Sequence, residues 1–143
     1  AFGQCYAARA GKPATCNGVR ISVSKVNRLS SSLRVTGMDR NLAPGLAPFA
    51  LFIALASKVQ RARILGSAAL DLCYVACGRF DGFWEMKLHP WDSAAASLMV
   101  TEAGGRVTDF KGNPFSIYSD EILASNGLIH DQMLQVMHQV NKK

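Results

Sequence analysis

The stretch over residues 65–105 limits the fold most, because it sets two short helices and a strand around one carboxylate, Asp92. Pro90 has a fixed φ suited to the first helical position, so Asp92 falls in the first turn, and Gly104-Gly105 supplies the stop roughly three turns later. Between these limits Trp91, Ala94, Ala95, Leu98 and Met99 recur at the spacing of an inward helical face. On these features alone Asp92 is a first-turn carboxylate that complements the positive end of the helix, a contribution of about 0.3–1 kcal/mol.

Around this stretch the hydrophobic pattern alternates between strand and helix. Strands are expected over 33–37, 62–65, 79–86, 106–110 and 122–125, and helices over 50–58, 66–77, 91–103 and 130–140. The helix over 66–77 is apolar on more than one face, as in a helix covered on both sides. Residues 39–48, with Pro44 and Pro48, read as a loop or helix entry. Alternation of this kind predicts an α/β fold with a layered sheet. Ahead of it, residues 2–9 and 19–24 read as short strands around Gly11-Lys12-Pro13 and Asn17-Gly18, the turn chemistry of antiparallel pairs, and the polar run over 22–32 reads as a boundary.

The net charge of +6 raises the question of a nucleic-acid or membrane-surface partner. The basic residues are scattered, with no run of five and no aromatic interleaving, which argues against nucleic acid. No apolar run reaches the roughly 18 residues of a membrane span. Cys5, Cys16, Cys73 and Cys77 lack zinc-site spacing, and Cys73 and Cys77 fall in an apolar run as small core residues, so a reducing, cytoplasmic compartment is expected. Of the other polar residues, Asp71 and Asp81 read as helix or turn carboxylates, and His89, three residues before Asp92, as a packing or capping residue. Neither His130 nor His138 has a nucleophile motif beside it.

Two further positions can carry chemistry. Gly66-Ser67-Ala68 lies where a strand passes into a helix, so unpaired main-chain N–H groups face a possible polar ligand. Glu85 ends a strand after Phe83-Trp84, where a solvated carboxylate is the ordinary occupant.

The segment Trp91-Asp92-Ser93-Ala94-Ala95-Ala96, followed by Glu102-Ala103-Gly104-Gly105, resembles the second signature of the inositol monophosphatase family of magnesium-dependent, lithium-sensitive phosphatases. Arg63-Ile64-Leu65-Gly66-Ser67-Ala68-Ala69, Gly82-Phe83-Trp84-Glu85 and the opening Gly11-Lys12-Pro13-Ala14-Thr15-Cys16-Asn17-Gly18 also resemble family segments in family order. Ala96 departs from a frequent family glycine by one methyl group. The family's first signature, Asp-Pro-Ile-Asp-Gly-Thr, is absent from the 143 residues.

The resemblance implies the carboxyl-terminal half of a sugar-phosphatase αβαβα fold, with residues 1–24 as remnant strands of an amino-terminal antiparallel sheet and 25–143 as the carboxyl-terminal domain. It implies a Mg²⁺ ligand in Asp92, main-chain contacts to substrate from Gly66, Ser67 and Ala68, and a specificity role for Glu85 toward substrate hydroxyls. The substrate would be inositol monophosphate or a related polyol or sugar phosphate, hydrolysed by metal-activated water. The partners implied are the missing amino-terminal half and a second copy in a homodimer. One carboxylate cannot hold a metal cluster, so this chain alone is expected to be inactive. The alternative is a non-catalytic binding or regulatory module derived from the same fold.

Overall fold

The computed structural model describes residues 3–37 and 47–140, so of the loop or helix entry expected over 39–48 only Ala47 and Pro48 are described, and they open the first helix of the sheet domain. Strands β1 (Tyr6–Arg9), β2 (Lys12–Cys16) and β3 (Val19–Arg20) form an antiparallel sheet in that order. Lys12 and Pro13 belong to a strand and not to the turn that their sequence suggests; the reversal is made by Ala10 and Gly11 alone. There follow β4 (Leu33–Thr36), α1 (Ala47–Ala56), β5 (Arg61–Arg63), α2 (Ala68–Ala76), β6 (Gly82–Met86), α3 (Pro90–Glu102), β7 (Arg106–Thr108), β8 (Glu121–Ser125) and α4 (His130–Val140).

The second sheet has the order β5-β4-β6-β8-β7. β4 runs parallel to both β5 and β6, whereas β8 is antiparallel to β6 and β7. Side chains alternate across this sheet, and the alternation separates two cores. Val35, Phe83, Ile122 and Ala124 pack with Leu72, Val75, Ala96, Met99 and Val100 beneath α2 and α3. Trp84 and Leu123, from the intervening positions, pack with Leu51, Leu55, Met133 and Met137 beneath α1 and α4. The first sheet lies on the outer side of α3: Ala14 is fully buried in the α2/α3 core, and Gly11 N–H donates to Glu102 Oε1 at 2.9 Å.

Helix α3 starts and stops where Pro90 and the glycine pair place its ends, but its inward face differs from the expected one. Ser93, Ala96, Ser97, Met99 and Val100 are buried, while Trp91 is 77% exposed and Ala95 faces outward. The apolar stripe misleads because the buried side of α3 is built of small residues, Ser93, Ala96 and Ser97, that let α2 approach closely. The extra methyl of Ala96 is accommodated there at 3% exposure. At the far end Gly104 adopts φ +88°, and a Cβ on Gly105 would lie 2.6 Å from Ser125 O, so helix and sheet meet only through glycine.

Asp81 stitches the polar 22–32 segment to the sheet. Its Oδ2 accepts from Leu33 N–H at 2.6 Å, its Oδ1 accepts from the Ser24 hydroxyl, and its own carbonyl accepts from Asn126 N–H. Asn126 Nδ2 in turn donates to Ser24 Oγ and to Val26 O. Removing the carboxylate leaves two donors unpaired at a site only 5% exposed. Asp81→Ala is therefore expected to lower stability by about 3 kcal/mol in urea unfolding; a loss within 0.5 kcal/mol, the ordinary range of surface substitutions, would contradict this assignment.

Candidate functional site

The site begins where β5 passes into α2. Gly66 takes φ +87°, a left-handed turn that glycine makes without strain, and Ser67 caps the helix by accepting Leu70 N–H on its Oγ at 3.4 Å. The opened turn leaves Gly66, Ser67, Ala68 and Ala69 lining a cleft of about 450 Å³. Glu85 from the end of β6 and Asp92 from the first turn of α3 line the same cleft, with Ile64, Leu88 and Gly37 completing the lining. All five residues singled out in the sequence, Gly66, Ser67, Ala68, Glu85 and Asp92, thus come together from three separate segments.

Each carboxylate is held by main chain. Asp92 Oδ2 accepts His89 N–H at 3.0 Å in a capping box, which fixes the acid in the positive end of α3. His89 has the capping role that its position suggests, and its ring stacks on Trp91 at 4.4 Å between centroids. Glu85 turns back over β4, where Gly37 N–H supports it, and a Cβ on Gly37 would lie 1.8 Å from Glu85 Oε1. Gly37 is therefore an obligatory gap. Nothing in the local sequence marks it, because the clash arises from a residue 48 positions away.

Burial is the main cause of the Glu85 shift: it raises the acid to about 7, the charges of Asp71 and Asp92 add to the rise, and Gly37 N–H opposes it. Asp71, expected to be a helix carboxylate, is indeed in the first turn of α2, but it is 1% exposed with no hydrogen-bond partner on either oxygen. Burial raises it from 3.8 to about 7. The available signal was its setting between Leu70 and Leu72, in a helix whose apolar residues leave no polar face.

His130 is not among the residues that line the cleft. His130 is completely buried between Thr108 Oγ1 and Ser125 Oγ, each 2.9 Å from a ring nitrogen, and burial lowers it to about 4. With Ser125 also at 0% exposure, this Ser-His contact is inaccessible to a substrate. A larger groove between α1 and α4, lined mainly by Ile53, Ala54, Val136 and Val140 with Lys58 and Gln139 beside them, carries no carboxylate among its lining residues. The four cysteines are free thiols. Among the described residues no helix is long and apolar enough to cross a membrane.

The cleft's donor set suits a hard cation in one respect: Asp92 supplies a carboxylate oxygen beside main-chain N–H groups able to face an anion. It is a partial set, since among the described residues no three His, Cys, Asp or Glu side chains converge closely enough to hold a metal ion.

The chain resembles known proteins over nearly its whole length. The chain is 40% identical over 134 residues to Phosphatase IMPL1, chloroplastic, of Arabidopsis thaliana, an alignment covering 91% of the chain and 35% of the relative. It is 38% identical over 130 residues to human Inositol monophosphatase 1, covering 89% of the chain and 47% of that protein. It superposes on the solved inositol monophosphatase from Anabaena (Nostoc) sp. PCC 7120 with a TM-score of 0.88 at 43% identity, covering 95% of the chain and 54% of the structure. The chain thus spans about half the length of these relatives or less. The profile of the family matches residues 1–142, nearly end to end, and the chain belongs to the inositol monophosphatase family.

Proposed function

We propose that the chain is the carboxyl-terminal, substrate-side half of a magnesium-dependent phosphatase acting on inositol monophosphate or a related polyol or sugar phosphate. The observation that carries this reading is the convergence of the Gly66 turn, Glu85 and Asp92 on one cleft from three motif segments. A Thermotoga maritima relative, 39% identical over 141 residues, is named Fructose-1,6-bisphosphatase/inositol-1-monophosphatase, which supports the wider substrate class.

In this reading Asp92 contributes one ligand to Mg²⁺, and the rest come from the half not contained in this chain. The bound metal supplies a nucleophile at neutral pH and offsets charge on the leaving oxygen. The residues of this chain bind and orient. Main-chain N–H groups of Gly66, Ser67 and Ala68 face the polar substrate, and Glu85 hydrogen-bonds a hydroxyl at the end remote from phosphorus. Residues 1–24 are then a remnant of the amino-terminal sheet and 25–143 the carboxyl-terminal domain. Lithium sensitivity, a homodimer and a cytoplasmic location belong to the same reading.

The test is phosphate release from inositol monophosphate, with and without Mg²⁺, by the 143-residue chain and by the same chain joined to an amino-terminal half carrying Asp-Pro-Ile-Asp-Gly-Thr. Activity is expected from the joined protein only, and only with metal. Turnover by the short chain would refute the division of labour. No turnover from a folded joined protein would favour the non-catalytic binding module.

A further inference from the structure

The larger side chains that line the cleft are of two kinds. Ser67, Glu85 and Asp92 are polar, while Ile64 and Leu88 are branched and aliphatic. Folding accounts for Leu88, which is half-buried against the α2/α3 core. It does not account for Ile64, which is 49% exposed and belongs to neither core.

Ile64 follows the last residue of β5, an edge strand of the second sheet, and stands two residues before Gly66 with its φ of +87°. Arg63, Ile64 and Leu65 are all exposed, yet of the three only Ile64 lines the cleft. Arg63 is turned back on the strand, where its Nη1 donates to the Ala62 carbonyl at 3.1 Å. A single exposed isoleucine is ordinary on an open surface. In a concave site the same side chain is a surface that a ligand can bury, and branching at Cβ restricts its χ1 before the ligand arrives.

The lining is therefore amphipathic, with carboxyl and main-chain groups suited to hydroxyls and an aliphatic surface in the same cleft. A cyclic polyol has the matching division, since its hydroxyls project around the ring edge and its C–H groups make up the ring faces. A short open-chain ester has little such face to bury, and apolar contact grows with the area removed from water. We propose that Ile64 is a specificity-determining residue, packing on the C–H face of a cyclic polyol phosphate and so selecting ring substrates over short open-chain esters. The inference rests on the phosphatase reading for the reaction and narrows its substrate class.

The test is steady-state kinetics of the joined enzyme and its Ile64→Ser variant on two substrates, inositol monophosphate and glycerol 2-phosphate. For inositol monophosphate, Ile64→Ser is expected to raise KM about tenfold with little change in kcat, the pattern of lost ground-state binding. For glycerol 2-phosphate kcat/KM should change less than about twofold. Ile64→Val, which removes one methylene, should raise KM for the ring substrate about threefold. An unchanged KM for inositol monophosphate overturns the role of Ile64 and leaves the phosphatase reading standing. Equal losses on both substrates also overturn it, since they would mark a general effect on the Gly66 turn. A folded joined protein that hydrolyses neither ester removes the phosphatase reading. Calorimetric titration with inositol monophosphate then still judges Ile64: binding about tenfold weaker in Ile64→Ser supports the contact, and equal or absent binding overturns it.

Discussion

Asp71→Asn is expected to be more stable than the parent at pH 8 by about 4 kcal/mol and nearly equal to it at pH 4. The sign follows from proton binding. Asp71 is raised by burial from 3.8 to about 7 in the folded chain. Below pH 4 both folded and unfolded chains carry the proton, and above about pH 7 neither does. Between these limits the unfolded chain releases the proton while the folded chain keeps it, so stability falls as pH rises through this window and then levels. Each unit of difference is worth about 1.4 kcal/mol. Exposure of only 1% leaves little solvent to screen the effect. Asparagine keeps the shape and removes the ionisation, so its melting temperature should exceed the parent's by roughly 10 °C at pH 8. Thermal unfolding of both proteins from pH 4 to pH 8 measures this, and parallel curves would show that Asp71 is ionised or solvated in the folded state.

Asp92→Asn in the joined enzyme should lower turnover at least about 100-fold, more than is typical for losing a group that merely supports a metal ligand. The fold should survive. Asparagine Oδ1 can still accept His89 N–H, the bond that Asp92 Oδ2 now makes at 3.0 Å, so the capping box keeps its geometry. What is lost is the charge, worth at most about 1 kcal/mol to the helix. A hard cation distinguishes strongly between a carboxylate and a neutral amide, whereas a helix end barely does. Kinetics and melting measured on the same preparation therefore separate the two roles: a large kinetic loss with an unchanged melting temperature supports the metal role, and near-normal turnover refutes it.

The sequence was most readable where one residue decides one local outcome. Pro90 and the Gly104-Gly105 pair bound α3, as their positions in the sequence suggest, and each acts through neighbours within a turn. The convergence of Glu85, Asp92 and the Gly66 turn was legible only through their family resemblance, since periodicity carries no distances between segments. Two features lay beyond both routes. Gly37 is explained by a carboxylate on another strand, and the inward face of α3 is set by how closely α2 approaches, which favours Ser93 and Ser97 over the larger Trp91 and Leu98. Hydrophobicity ranks residues by transfer from water, and a tight helix contact ranks them by size.

Strand β6 serves two masters in successive residues: Phe83 and Glu85 belong to the layer of the cleft, while Trp84 lies in the layer beneath α1 and α4. A slip of one residue against β4 or β8 would exchange them, pressing a carboxylate into the second core and lifting an indole into the cleft. The cleft therefore has no independent existence. It cannot assemble while the far side of the sheet is molten, and loosening α4 should be felt at Glu85 as surely as a change in the cleft itself, making the whole layered body a single cooperative unit of folding.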